Sequence, residues 1–209
     1  MSDSRDLADA RHLSGDIELV VGLGNVGDRY ADTRHNVGFR VVDELANRFD
    51  TWGWVPLPLY DATSARCVPR LILAKPTTFM NRSGAAVARL LDHLEIEADH
   101  MLVVVDDVDL ELAALRMRPS GGPGTHNGLR DVCDHVGRDF PRLRLGVRGS
   151  SEWTDLADYV LSPFNDDERK EAATMVRRAA DAVEVALVDG IVAAMSRFNG
   201  PPVDPVEDR

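Results

Sequence analysis

A histidine and an aspartate from distant parts of the chain are the residues best suited to chemistry. His35 lies in the polar segment Thr33–Asn36, and Asp106 follows the apolar run Met101–Val105. A neutral imidazole can accept a proton near neutral pH, and a carboxylate can orient the ring and stabilise its cationic form. Together they predict a general base with its orienting acid. Taken singly, His35 is more typical of a surface histidine, and Asp106 is also typical of a solvated acid at a strand end.

Asparagines recur at loop positions in the sequence, at Asn25, Asn36, Asn81 and Asn127. A single asparagine in a loop is typical of a turn. Several of them can present neutral donors and acceptors to a peptide backbone, or a donor to a developing oxyanion. The sequence lacks the Gly-x-Ser-x-Gly motif of a serine nucleophile. We therefore expect direct attack by an activated water rather than a covalent intermediate.

Glycines and cysteines give no support for a cofactor or a metal. Gly22, Gly24 and Gly27 fit the spacing of a dinucleotide fingerprint, but the polar stretch 25–36 does not predict the helix that this fingerprint requires. Cys67 and Cys133 form no pair or cluster with metal-ligand spacing. We expect both to be buried thiols in a reducing compartment, and we expect no cofactor and no bound metal.

The elements that must position these residues follow from the apolar patterns. Strands are predicted at 17–24, 71–74, 101–105, 115–118 and 143–147. Helices are predicted at 38–49, from about residue 83, around 129–136 and over 166–189, the last with Asp166 as its N-cap. The segment 51–66 has no clean period. This alternation predicts an α/β fold, a single-domain layered globule with a mixed, largely parallel central sheet flanked by helices. Ligand sites of such sheets lie beyond the carboxyl ends of strands, where Asn25, Asn81 and Asp106 fall.

Bulk composition narrows the class of protein. The 209 residues, 44% of them hydrophobic and 28% charged, suit one soluble domain. We expect a flexible acidic extension at 1–16, a domain at 17–199 and a disordered tail at 200–209. No apolar run is long enough to span a membrane and no signal peptide is visible, so we expect a cytoplasmic location. No obvious partner helix is visible, so we expect a monomer. The net charge of -11 argues against a nucleic-acid partner, unless a local basic patch opposes it.

Four sequence blocks follow one another along the chain: Val20–Gly27 with Tyr30 and Thr33–Gly38, then Lys75–Gly84, Val105–Leu110 and Gly124–Arg130. In this order they resemble the blocks of bacterial-type peptidyl-tRNA hydrolases. A weaker block is Asp158–Leu161, and the similarity spans roughly residues 17–198. The resemblance implies an enzyme that hydrolyses the ester between peptide and tRNA, with peptidyl-tRNA as its partner.

The same resemblance implies a role for each matching residue. His35 would be the base, Asp106 would hold and polarise it, and Asn25 would lie near the developing oxyanion. The remaining substrate contacts would come from Tyr30, Met80, Asn81, His126 and Asn127. The tRNA phosphates would be gripped by Arg118 and Arg144, assisted by Arg116. Taken singly, such arginines are also typical of solvated charge at a strand edge.

Some residues depart from the family pattern. Val26 replaces a proline, Thr125 replaces a glycine before His-Asn, and Val105 replaces a histidine. Pro123 lies in the glycine-rich loop, residues 120–125. These departures leave His35 and Asp106 intact but leave substrate choice open. Two alternatives therefore remain: a paralogue that binds RNA or protein without hydrolysis, and a hydrolase of another acyl- or aminoacyl-tRNA.

Overall fold

The computed structural model describes residues 16–49, 51, 53–68, 71–150 and 153–202 of the chain. Within these ranges the backbone forms seven β-strands and six α-helices. The strands are β1 (Leu19–Gly22), β2 (Val55–Leu57), β3 (Ala62–Val68), β4 (Leu71–Pro76), β5 (Met101–Glu111), β6 (Leu115–Arg118) and β7 (Arg142–Arg148). The helices are α1 (Val37–Arg48), α2 (Ser83–Leu94), α3 (Asn127–Val136), α4 (Leu156–Val160), α5 (Asp166–Asp189) and α6 (Ile191–Phe198).

The strands form one sheet in the order β2-β3-β4-β1-β5-β7-β6. The four central strands, β4, β1, β5 and β7, pair in parallel, and the strands at both edges pair antiparallel. The central strands are rich in buried apolar residues, as expected where helices cover both faces of a sheet. The predicted α/β fold with a mixed sheet flanked by helices is confirmed, and its parallel pairing lies at the centre.

Alternating side chains of the strands supply two separate cores. In β1, Leu19 and Val21 pack in the core that includes α2 and α3, whereas Val20 packs in the core that includes α1 and α5. All three side chains are fully buried. Burial of a valine or leucine side chain contributes about 1.5–3 kcal/mol, so the sheet holds both helical layers firmly. The strand ends from which the loops to the helices begin are therefore held in place.

The segment that joins β1 to α1 is not helical at its start. Two 3₁₀ turns, Asp28–Tyr30 and Arg34–Asn36, precede α1. This agrees with the expectation that the glycine pattern is not a dinucleotide fingerprint. Gly22 instead permits close packing of α1 on β1, because a Cβ atom there would lie 2.3 Å from the carbonyl oxygen of Gly38.

Two helix boundaries differ from the prediction. Helix α1 covers Val37–Arg48 rather than 38–49, a shift of one residue at each end. Helix α5 has the predicted range, but Asn165 and not Asp166 is its N-cap. Asn165 Oδ1 accepts the backbone N–H of Glu168 at 2.9 Å, and Glu168 Oε2 accepts the backbone N–H of Asn165 at 3.0 Å. This reciprocal capping box places Asp166 at the first helical position.

Strand β5 continues beyond the predicted end. Asp106 was predicted to follow the strand, and this is wrong: Asp106 pairs with Leu145 of β7, and Asp107 pairs with Gly146. Acidic residues are depleted in strands, so two consecutive aspartates suggested a strand end. Both aspartates are buried, which the strand tolerates because each has a cationic or N–H partner.

The hairpin of β2 and β3 lies mostly within 51–66, where the sequence predicts no regular element. β2 is a short edge strand that contains Pro56, and its side chains are largely exposed, so it lacks apolar alternation. Cys67 of β3 is only half-buried, which corrects the prediction of a buried thiol there, whereas Cys133 of α3 is buried as predicted. The difference follows from position, since β3 lies next to the edge of the sheet.

The ends of the predicted domain are only partly described. Gly200, the first residue of the predicted tail, pairs with Leu115 of β6 through backbone hydrogen bonds of 2.8 and 2.9 Å. The rest of that tail from residue 203, and residues 1–15 of the predicted extension, lie outside the described ranges. Within those ranges, no helix is long and apolar enough to cross a membrane.

Candidate active site

A cavity of about 470 Å³ lies where the segments that follow β1 and β4 meet β5. The structure brings seven of the predicted site residues to its wall: Asn25, His35, Met80, Asn81, Asp106, His126 and Asn127. Helix α4 and the residue on either side of it supply another part of the wall. The cavity therefore collects side chains from five separate segments of the chain.

His35 and Asp106 meet in this cavity. His35 Nδ1 lies 2.8 Å from Asp106 Oδ1, and the two side chains are 11% and 3% exposed. A carboxylate is an acceptor, so the Nδ1–H of His35 donates to it. The proton on Nδ1 leaves Nε2 as the basic nitrogen of the ring. The 3₁₀ turn Arg34–Asn36 holds this histidine, and β5 holds the aspartate.

Asp106 is ionised in this arrangement. Burial alone would raise its pKa, but N–H groups of His126 and His35 face the carboxylate and hold the pKa well below its usual range. His126 Nε2 lies 2.9 Å from the same oxygen, Oδ1, that His35 contacts. Asp106 is thus a buried anion that orients two imidazole rings.

Asn25 is fixed by two neighbours. Its backbone N–H donates to Asn36 Oδ1 at 2.8 Å, and Asn36 Nδ2 donates to the carbonyl of Asn25 at 2.9 Å. Its side-chain Oδ1 accepts the backbone N–H of Met80 at 2.9 Å. These bonds leave the Nδ2 amide of Asn25 as the group that can donate into the cavity. Asn36, one of the four loop asparagines, is therefore a buried support for Asn25 rather than part of the wall.

The remaining residues of the wall differ in exposure. Met80 is 5% exposed and belongs to the core that contains α2 and α3, whereas Asn81 and Asn127 are exposed to solvent. Asn127 begins α3, and its Oδ1 accepts a hydrogen bond from Arg130 Nη1 at 3.1 Å. This face of the cavity thus has an apolar floor with amide groups at its rim.

Tyr30 is not brought to the cavity. It lies in the 3₁₀ turn Asp28–Tyr30, half-buried, with the Arg29 guanidinium 4.5 Å from its ring centroid. The sequence motif places Tyr30 only five residues before His35. The intervening turn, closed by a hydrogen bond from the backbone N–H of Thr33 to the Tyr30 carbonyl, separates the two side chains.

Several residues of the cavity wall were not predicted as site residues. Asp107 and Val108 of β5, Thr125 of the glycine-rich loop, and Leu156 and Leu161 at α4 all lie there. Thr125 was noted only as a departure from the family pattern, and the block Asp158–Leu161 was the one signal for α4. Apart from Asp107, these residues are apolar or neutral, which makes this part of the cavity suited to a peptide chain.

A buried arginine anchors the turn that carries His35. Arg34 pairs with Glu168 of α5, with side chains 3% and 6% exposed. Its guanidinium also lies 4.4 Å from the Tyr159 ring centroid and donates to Ser162 and Pro163. These partners connect the turn to α4 and α5, so the position of His35 depends on contacts from the far end of the chain.

Arginines form a row on the edge strand β6 and its neighbour β7. Arg116 lies opposite Arg144, and Arg118 lies opposite Arg142. Opposite residues of an antiparallel pair share one face of the sheet. Arg116 and Arg118 are exposed, whereas Arg142 is buried and donates to the carbonyl of Gly121 in the glycine-rich loop. The three predicted phosphate-binding arginines thus lie together but outside the cavity wall.

Arg144 has an acidic partner. Its Nε lies 3.0 Å from Asp107 Oδ2, and the side chains are 17% and 1% exposed. The contact is an ion pair rather than a linear hydrogen bond, since neither atom has a hydrogen-bond partner among the described residues. Burial raises the pKa of Asp107, which nearby Arg144 partly opposes. Asp107 therefore links the cavity to the arginine row.

His35, Asp106 and His126 are also residue types that bind divalent metals, and their nearest ligand atoms lie within 4.8 Å of one another. Both histidines contact one carboxylate oxygen at hydrogen-bond distance, which uses the N–H of each ring rather than a lone pair. We therefore interpret the cluster as hydrogen-bonded, with its one basic nitrogen on His35.

A mixed sheet in an α/β fold, with a histidine–aspartate pair in a cavity lined by amides, fits an enzyme of the hydrolase class. The sequence model described as peptidyl-tRNA hydrolase matches residues 19–206, and the chain belongs to this family. Within the family the function is hydrolysis of peptidyl-tRNA.

Individual relatives agree with this assignment. The chain is 45% identical over 196 residues to the peptidyl-tRNA hydrolase of Roseiflexus castenholzii, covering 91% of each protein. It is 46% identical over 184 residues to that of Chloroflexus aurantiacus, covering 87% of this chain and 98% of the relative. The crystal structure of the Acinetobacter baumannii peptidyl-tRNA hydrolase matches with a TM-score of 0.81 at 32% identity, covering 88% of this chain and 97% of that one.

Proposed function

We propose that this chain hydrolyses the ester bond that joins a peptide to tRNA, releasing both. The observation that carries the proposal is the 2.8 Å contact between His35 Nδ1 and Asp106 Oδ1 in the wall of the amide-lined cavity. Membership of the peptidyl-tRNA hydrolase family supports the choice of substrate.

His35 acts as the general base in this proposal. Its Nε2 takes a proton from a water molecule while the water oxygen attacks the ester carbonyl carbon. Asp106 stabilises the resulting imidazolium, as an orienting carboxylate does. When the bond between carbonyl carbon and ribose oxygen breaks, His35 returns the proton to the leaving oxygen. Such acid–base catalysis typically contributes about 10²–10⁴-fold to the rate.

Asparagine amides position the substrate in the same proposal. Asn25 Nδ2 donates to the carbonyl oxygen as it becomes an oxyanion, because Asn25 Oδ1 is already bonded to Met80. Asn81 and Asn127 contact the peptide backbone, and Met80 lies beneath the peptide. His126 acts through Asp106. Backbone contacts through neutral amides do not select a side chain, which suits a substrate of variable peptide sequence.

The arginine row binds the tRNA in this proposal. Phosphate contacts supply affinity independent of sequence and make it depend on salt. Arg116 and Arg118 are exposed on the edge strand, and Arg144 lies beside the loop that leads to His126. A local basic row of this kind opposes the net charge of -11 where the tRNA must bind.

A comparison of two substrates tests the proposal. Wild-type protein should release the acyl group from N-blocked aminoacyl-tRNA but not from free aminoacyl-tRNA, and His35→Ala should abolish the release. His100→Ala is the matched control, because His100 is a partly exposed histidine outside the cavity wall. Absence of turnover on both substrates would favour a binding module, and preference for the free substrate would favour a different aminoacyl-tRNA.

We also propose that the protein acts as a monomer in the cytoplasm, where translation produces peptidyl-tRNA. Light scattering after size-exclusion chromatography checks the oligomeric state, and fractionation of cells checks the location. A dimer that persists on dilution would contradict the monomer.

A further inference from the structure

The His126 side chain makes two hydrogen bonds, one with each ring nitrogen. It is the N-cap of α3, where its Nδ1 accepts the backbone N–H of Leu129 at 2.9 Å. Its Nε2 lies 2.9 Å from Asp106 Oδ1. The residue is buried, at 7% exposure. Serine, threonine, aspartate and asparagine are the preferred N-caps. Their side chains are shorter than that of histidine, so none of them can cap the helix and also donate an N–H as far away as an imidazole ring can.

These two contacts fix the tautomer of His126. A nitrogen that accepts an N–H must carry a lone pair, so Nδ1 is unprotonated. The single ring proton is therefore on Nε2, where it is donated to Asp106. Protonation of Nδ1 would set two N–H groups against each other at Leu129 and would place a positive charge at the positive end of the α3 dipole. Both effects oppose protonation of Nδ1.

His126 and His35 compete for one acceptor. Both donate to Asp106 Oδ1, at 2.9 and 2.8 Å, and their ring centroids are 4.9 Å apart. An oxygen that accepts two hydrogen bonds stabilises each donor less than it would stabilise one. The share taken by His126 therefore weakens the support that Asp106 gives to a protonated His35.

We propose that His126 is a positioning residue: its Nε2–H holds Asp106 Oδ1 and so limits the support that this carboxylate gives to a protonated His35. The inference rests on the proposed function, in which only unprotonated His35 accepts a proton from water. It assigns His126 an action on the base through the shared carboxylate, which differs from contact with the substrate.

Other charged groups near His35 are accounted for. Asp107 of β5 and Asp155, which caps α4, line the same cavity. Asp107 is paired with Arg144, and Asp155 is exposed to solvent. The Arg34 guanidinium, next to His35 in sequence, is neutralised by Glu168. His126, which shares the oxygen, is thus the remaining neighbour that can act on His35 through Asp106.

The variant His126→Asn separates the two contacts of His126. Asparagine is a strong N-cap and can still accept the Leu129 N–H, but its shorter side chain does not reach Asp106. We expect the pKa of the acidic limb of kcat/KM to rise by roughly 0.5–1 unit, so that activity on the acid side falls about 3–10-fold. His126→Ala, which loses both contacts, should show the same shift together with a loss of stability.

Nuclear magnetic resonance of the histidine rings tests the inference without turnover. In wild-type protein the His126 ring should show the Nε2–H tautomer at pH 7. In His126→Asn the titration midpoint of His35 should rise. The Nδ1–H tautomer at His126, or an unchanged midpoint of His35, would overturn the inference. Failure of wild-type turnover alone would instead count against the proposed function.

Discussion

Replacement of Arg34 by methionine tests how firmly the turn that carries His35 is anchored. Arg34 and Glu168 form an ion pair whose side chains are 3% and 6% exposed, and Arg34 also donates to Ser162 and Pro163. Methionine fills a similar volume but leaves Glu168 as a buried charge without its cation. Loss of one partner of a buried ion pair costs about 3–5 kcal/mol of unfolding free energy.

For a domain of this length, that loss lowers the melting temperature by about 6–20 °C, at about 2–4 °C for each kcal/mol. Urea unfolding measures the free energy directly. Glu168→Gln removes the charge but retains an acceptor for the capping box. The double variant Arg34→Met with Glu168→Gln should therefore lose less unfolding free energy than the sum of the losses in the two single variants. The recovered coupling should be about 0.5–3 kcal/mol.

Arg169→Met is the control for this experiment. Arg169 is 67% exposed and pairs with Asp166 on the same helix. Its replacement should change the unfolding free energy by no more than about 0.5 kcal/mol. A loss below about 1 kcal/mol for Arg34→Met, or strictly additive losses in the double variant, would refute the idea that the buried pair anchors the turn.

Three further outcomes follow from the contacts around the sheet. Asp107→Asn should leave the charge of Arg144 unpaired and so make the tRNA affinity depend more steeply on salt. Between 50 and 200 mM salt, the affinity of the variant should fall by roughly a further 3.5-fold relative to wild type, measured by fluorescence anisotropy. An unchanged slope would contradict this. Arg144→Ala should weaken hydrolysis of tRNA substrates but spare short aminoacyl-nucleotide esters, and equal losses on both would exclude Arg144 from tRNA binding. Gly38→Ala should destabilise the protein by about 1–3 kcal/mol in urea unfolding, because the added Cβ would lie 2.5 Å from the carbonyl oxygen of Val104; wild-type stability would show that α1 can shift away from the sheet.

Most of the central part of the fold could be predicted from the sequence because β1, β4 and the first half of β5 contain continuous apolar runs. The β2–β3 hairpin could not, since Pro56 and exposed side chains erase the alternation of an edge strand. The end of β5 was predicted too early because two consecutive aspartates, Asp106 and Asp107, are untypical of a strand interior. Their burial within a strand depends on partners that the local sequence does not reveal.

The candidate site divides in the same way. His35 and Asp106 were paired from residue type and family resemblance, and the cavity brings them together. Tyr30 shares a motif with His35 but lies elsewhere, because a turn intervenes. Arg34 was passed over because an arginine in a polar segment is usually exposed. Its burial requires Glu168, which lies 134 residues further along the chain.

Asp106 and Asp107 show how one strand can link the two halves of the proposed reaction. Successive side chains of a strand point in opposite directions, and here Asp106 meets His35 while Asp107 meets Arg144 of the neighbouring strand β7. β5 and β7 pair in parallel through both positions, so the backbone is rigid where the two acids lie. The proposed base and the proposed phosphate contact are therefore held by adjacent residues of one buried strand. If a tRNA phosphate binds at Arg144, the rigid strand β5 therefore fixes the distance between that phosphate and His35. The ester of the peptidyl-tRNA could then be placed at His35 without movement of a loop.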